Sequence, residues 1–162
     1  MIGCIGSLGL IHHGIRRGSF TKNLAKAWMR TSLRLAKEKY AAPVVMVIDN
    51  AGCHGGIESI LLEDEFQVHI FLRLGPYGPM LNPIETIWSK IKAHVNRNLS
   101  ANLQNLLQNN PENLSIVEFR LRKLEELMRE SLRVIDISSC VNCISGVARH
   151  FSAALALEDI IF

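Results

Sequence analysis

The chain has 162 residues, of which 48% are hydrophobic and 20% charged, and its net charge is +3. That length and apolar content suffice for one domain with a core. No apolar run reaches the ~18 residues that span a bilayer, which sets aside a membrane partner. Four cysteines, Cys4, Cys53, Cys140 and Cys143, form no dense framework, which fits a reducing compartment. Charge is uneven along the chain. Before Pro43 eight basic residues stand against Glu38 alone, a net +7, and the remainder carries −4. A cationic front half suits a polyanion, because neutralising phosphates releases counterions.

The apolar start, Met1 to Ile11, lacks a basic leader and is interrupted by Gly3, Gly6 and Gly9, so it reads as a strand pair over 1–7 and 9–16 rather than a secretory signal. Thr21 caps a helix predicted to run to Tyr40, with Leu24, Trp28, Thr31 and Leu35 facing the core. Lys22, Lys26, Arg30 and Arg34 step by four and form one basic stripe. The stripe is either a solvated face or a phosphate contact. After Pro43, the β-branched run Val44 to Ile48 predicts a buried parallel strand. Asp49-Asn50 follows it, a pair equally at home in a turn or at a site. His54 could orient Asp49, touch nucleic acid or be polar surface.

A helix is predicted over Ile57 to Glu65 and a strand over Val68 to Leu72. A Pro/Gly loop, Gly75 to Leu81, comes next. Its Tyr77 could stack on a base or lean on the loop prolines. Asn82 then offers an N-cap, Pro83 fits the first helical position and Glu85 falls at N3. Glu85 can therefore complete a capping box or bind metal. Ile84, Ile87, Trp88 and Ile91 pack that helix inward, leaving Lys90, Lys92, His94 and Arg97 for phosphate. Beyond Asn98 comes an Asn/Gln-rich tract, an amphipathic helix over 115–135 and a further helix over 141–157. Cys140 and Cys143 have a zinc-like spacing without a second cysteine pair, a weak metal signal.

Two motifs carry the function. One is Asp49-Asn50-Ala51-Gly52-Cys53-His54 after an apolar strand. The other runs from Pro76-Tyr77-Gly78-Pro79 through Leu81-Asn82-Pro83-Ile84-Glu85, followed by Trp88 and Lys90. Thirty-five residues separate the two carboxylates. In order and spacing, residues 1–98 resemble the mariner-like DDE transposases, a branch of the ribonuclease H-like superfamily. They depart at Gly78, where the family usually has Ser, and at Gly75, where Pro is common.

The resemblance implies an α/β fold, a ribonuclease H-like mixed sheet flanked by helices. Residues 1–98 would be the catalytic core and 99–162 a helical C-terminal extension packed on it. It implies Asp49 and Glu85 as catalytic, metal-holding residues for Mg²⁺ or Mn²⁺, and DNA cutting and joining in a nucleus. DNA is the expected partner, met by Lys22, Lys26, Arg30, Arg34, Asn50, His54, Tyr77, Lys90 and Lys92. A second copy of the chain is a further candidate partner, and no small-molecule substrate is expected. The family's first acid sits on an opening strand upstream of the second, whereas here only Glu38 precedes Asp49, beside Lys37 and Lys39. The first strand and its Asp are therefore expected to be missing. That strand lies centrally in the fold, so the sheet should be incomplete and two edges unpaired. An inactive remnant that binds nucleic acid or another subunit is the alternative function. A product that begins further upstream is another.

Overall fold

A computed structural model describes residues 1–75, 79–101 and 114–155. It is a mixed α/β structure with small sheets. Strand β1 (Ile2–Gly6) turns back into β2 (Gly9–Gly14) as an antiparallel hairpin. Gly9 takes the left-handed conformation, φ +96°, that the tight turn requires. Helix α1 (Lys22–Tyr40) follows, with the Thr21 hydroxyl accepting from the Leu24 N–H as its cap. Strand β3 (Val45–Ile48) pairs in parallel with β4 (Ile70–Arg73), from Val45 opposite Ile70 to Ile48 opposite Arg73. Three helices complete the described chain: α2 (Ile84–Ala101), α3 (Ile116–Leu132) and α4 (Ile137–Leu155). None of them alone is long and apolar enough to cross a membrane.

The sheet expected to be incomplete is, among the described residues, two separate two-stranded sheets, β1–β2 and β3–β4. Both pack against α1. Cys4 of β1 meets Met29 and Leu33 of α1 and Met46 and Ile48 of β3 in one core, which Ile57, Ile60 and Phe66 close. On the other side of the hairpin, Ile5 and Leu10 pack against Ile87, Ile91 and Val95 of α2, with Leu132, Cys140 and Cys143. The hairpin thus has helices on both faces.

The β3–β4 pair does not. Its outer face leaves Val45, Ile70, Leu72 and Val47 exposed at 59%, 58%, 50% and 39%. Parallel strands ordinarily have both faces covered, so among the described residues this sheet lacks a layer.

The buried face of α1 lies one residue beyond the predicted one: Ala25, Met29, Ser32, Leu33 and Ala36, with Leu24 and Thr31 outside. Small side chains at 25, 32 and 36 let the helix approach the sheets closely. Trp28 and Leu35 are half-buried and flank that line. Residues 57–62 form 3₁₀ turns rather than an α-helix. Their two anchors, Ile57 and Ile60, are three apart, the repeat of a 3₁₀ turn. The helices predicted over 115–135 and 141–157 are α3 and α4, and the polar tract at 102–113 lies outside the described residues.

Two histidines, the half-buried His12 and the buried His69, have values lowered by burial. His12 stacks on Trp28 at 4.9 Å, and its Nδ1 lies 2.8 Å from the Ser32 Oγ. The Ser32 hydroxyl gives its proton to the Trp28 carbonyl, so His12 must be the donor in that pair. His69 Nδ1 accepts from the Val44 N–H, which needs a neutral ring, and its buried Nε2 has no partner among the described residues. Burial lowers both values below the ordinary 6.5, with small further pushes from His13 and Lys37. Depressed values give stability that is full above the unfolded value and lost as pH falls through the folded one. The urea midpoint should therefore fall between about pH 7.5 and about pH 5.5, before carboxylates titrate, and His12→Gln should reduce that fall.

Candidate metal and nucleic-acid site

Asp49 is the first residue after β3, where the parallel pair ends. Its Oδ1 accepts two hydrogen bonds, from the Ala51 N–H at 3.0 Å and from His54 Nδ1 at 2.7 Å. The first makes a side-chain turn; the second fixes the carboxylate's direction and the histidine's tautomer. His54 thus orients Asp49. Both bonds fall on Oδ1, which leaves Oδ2 for a cation. Asn50 spends its amide on the Leu74 carbonyl at 2.6 Å, tying together the ends of β3 and β4.

Glu85 lies in the first turn of α2, half-buried, with its N–H bonded to the Asn82 carbonyl at 3.1 Å. The helix dipole favours an anion there. A cleft of about 470 Å³ joins the two regions: Asp49 and His54 line it from the β3 side, and Asn82, Pro83 and Ile84 from the start of α2. Glu85 itself does not line that cleft. A carboxylate is a hard donor, of the kind that Mg²⁺ or Mn²⁺ takes with waters completing the shell. Among the described residues, no three His, Cys, Asp or Glu side chains converge on one point.

The profile of the DDE superfamily endonucleases matches residues 1–107, about two thirds of the chain. The chain belongs to the DDE superfamily endonuclease family. A search of curated proteins finds no match, and a search of solved structures finds none.

Within this DDE chain, Arg73 is the site residue that sequence reasoning missed. From the end of β4 it reaches the carbonyls of Asp49 at 3.3 Å and His54 at 2.9 Å, and it pairs with Glu58. One cation thus gathers the whole 49–58 loop. The available signal was a lone arginine just past the predicted strand 68–72.

The basic stripe meets acids and hydroxyls of its own chain. Lys26 donates to the Ser59 hydroxyl at 2.7 Å. Arg30 grips Glu63 bidentately, and Arg34 grips Glu65 at 2.7 Å while lying over the Phe66 ring. Lys22 lies against Gly55 beside the Asp49 loop. On α2, Lys90 reaches the Ser139 hydroxyl at 3.3 Å, and Lys92 is exposed. Tyr77 lies outside the described residues.

Glu38 lines a different cavity with His69, Val68 and Pro43, at the opposite end of β3 from Asp49. A strand of that length separates the two ends by roughly 15 Å, so Glu38 is no third ligand. Cys140 and Cys143 are buried among the helices, and burial raises the Cys140 thiol.

Hydrogen bonds from Arg30 and Arg34 hold Glu63 and Glu65 below their ordinary value of 4.5. Their contribution is present above that value and lost as pH falls through the depressed ones. Replacing both arginines by Gln should speed amide exchange across residues 57–66 at neutral pH. The difference from the parent chain should vanish once both glutamates are protonated. Equal exchange in variant and parent at neutral pH would count against this docking role.

Proposed function

We propose that this chain is a mariner-like, ribonuclease H-related transposase domain that engages DNA at the cleft between Asp49 and the start of α2 and does not transfer strands on its own. The observation that supports the reading is one cleft reached by both family motifs, one through Asp49 and the other through the first turn of α2. In an intact site of this kind, Mg²⁺ or Mn²⁺ activates water and stabilises charge on the phosphoryl oxygens. Asp49, aimed by His54 and seated by Arg73, and Glu85, held by the start of α2, would hold such an ion. Lys92 and the α1 lysines would hold DNA phosphates. A nuclear location follows from the substrate.

The ancestral reaction needs a further anionic ligand between the pair, and residues 1–37 contain no acid at all. The lack of an acid in those residues motivates the nicking test on the chain as given. With Mg²⁺ or Mn²⁺, the purified chain should relax supercoiled plasmid no faster than Asp49→Asn or Glu85→Gln does. Robust relaxation that disappears in Asp49→Asn would overturn the inactive part of the proposal. Mn²⁺ should still broaden resonances near Asp49 and Ile84, weakly, and less in Asp49→Asn.

DNA affinity should fall with salt, and the two halves of the stripe should behave differently. Lys22→Gln with Lys26→Gln should lower the log–log slope by roughly 1.8, about 0.9 for each phosphate released. Adding Arg30→Gln and Arg34→Gln should change the slope little, because Glu63 and Glu65 already neutralise those arginines. An unchanged slope in the lysine pair would show that α1 does not meet DNA.

A further inference from the structure

The basic stripe of α1 lies along one segment of its own chain, and the two run in step. In order, Lys22 lies against Gly55, Lys26 donates to the Ser59 hydroxyl at 2.7 Å, Arg30 pairs with Glu63 and Arg34 pairs with Glu65. The first two cations meet neutral partners; the last two meet carboxylates. Arg30 reaches both oxygens of Glu63, at 2.6 Å and 2.9 Å, and Arg34 both oxygens of Glu65, at 2.7 Å each. A guanidinium presents the same two-pronged face to a phosphate as to a carboxylate. Each glutamate therefore occupies the donors that a phosphate would need.

The stripe has the dimensions of a contact with a nucleic-acid backbone. Steps of four on a helix rise about 6 Å, so the four cations cover roughly 18 Å in one line. One DNA strand carries about five phosphates over that length, at about 3.4 Å each. Arg30, Glu63, Arg34 and Glu65 are each a third to a half open to solvent, so a phosphate can reach both pairs. The segment that carries the glutamates is fixed, because Ile57, Ile60 and Phe66 are in the core. Acids on an anchored segment compete as an intramolecular ligand, at an effective concentration set by geometry alone.

We propose that Glu63 and Glu65 stand in for DNA phosphates and mask the second half of a backbone-binding surface on α1. Lys22 and Lys26 keep their charge for phosphate, while Arg30 and Arg34 are held by the chain itself. The partner that fits the whole surface is a nucleic-acid strand lying along α1. Its phosphates must displace two carboxylates before they meet the arginines, so the segment keeps DNA affinity below what four free cations would give. The same pairs dock the segment, and the two roles part at one point. Docking is weakened when either member of a pair is removed, whereas masking turns the loss of the acids into a gain in DNA binding. This inference rests on the reading that α1 meets DNA.

The probe is a DNA duplex of about 20 base pairs and mixed sequence, titrated against the whole chain over a range of salt. Glu63→Gln with Glu65→Gln should tighten binding about tenfold or more at low salt and raise the log–log slope by roughly 1.8, about 0.9 for each added phosphate contact. Removing two negative charges also tightens binding through the general field, so the arginines must be shown to carry the gain. Adding Arg30→Gln and Arg34→Gln to the glutamate pair should take the added slope away again, although the same two changes do little in the parent chain. If the double glutamate variant does not fold, Glu65→Gln alone should raise the slope by roughly 0.9, and Arg34→Gln should cancel that rise. A gain that survives without the arginines would overturn the masking. So would no gain at all while Lys22→Gln with Lys26→Gln still lowers the slope. If the lysine pair also has no effect, α1 does not meet DNA, and this inference falls with that reading.

Discussion

The inner face of α1 is the constraint on which the rest depends. Two sheets that are not paired with each other share one core, and Met29 and Leu33 of α1 are at its centre. Backbone ladders are cooperative, because each hydrogen bond positions the next; side-chain packing has no such register. The relative placement of β1 and β3 therefore rests on a few buried contacts, of which Cys4 against Met46 is the direct one. That explains the composition of the helix. Ala25, Ser32 and Ala36 bring its axis close to both sheets, and Ser32 ties to His12 on β2. The ion pairs of Arg30 and Arg34 work from the opposite side, drawing the 57–66 segment over the end of the same core.

The carboxylate end of the structure is rigid where the sheet centre is not. Asp49 is held by His54, its loop by Arg73, and the neighbouring Asn50 by Leu74. These bonds all join β3 to β4 or to their own loop, so they survive without any contact to β1. Glu85 belongs to the other half, since α2 packs on the hairpin and on α3 and α4. The two carboxylates are thus carried by different sheets, and the cleft between them is where those sheets fail to join. Any change in how the halves sit alters the spacing of the pair.

Much of this was legible in the sequence, for identifiable reasons. The strand before Asp49 was visible because Pro43 and Asp49 bracket a β-branched run. Helix α1 was visible from Thr21 and a long periodic stretch. The helix after Asn82-Pro83 followed from capping chemistry, and the family profile agrees with the reading of the motifs. What failed was the exact face of α1 and the state of residues 57–65. Both depend on how near the partner surface comes, which a periodicity count does not contain. The basic stripe looked free because its acids lie about thirty residues away, in a segment predicted as a plain helix. Arg73 was missed for the same reason: its partners are close only after β3 and β4 have paired.

The uncovered outer face of β3 and β4 and the open edges toward β1 have one origin. A parallel pair of four-residue strands is short, and parallel ladders are normally central in a sheet with layers on both sides. Among the described residues β3 has β4 as its one strand neighbour, and its outward valines and the matching Ile70 and Leu72 are exposed. Shielding that face would not satisfy the backbone of Val45 and Val47, because side chains that cover a face do not reach an edge. Pairing the edge would not cover the face either, but it would fix the plane of the sheet on which any covering layer must sit.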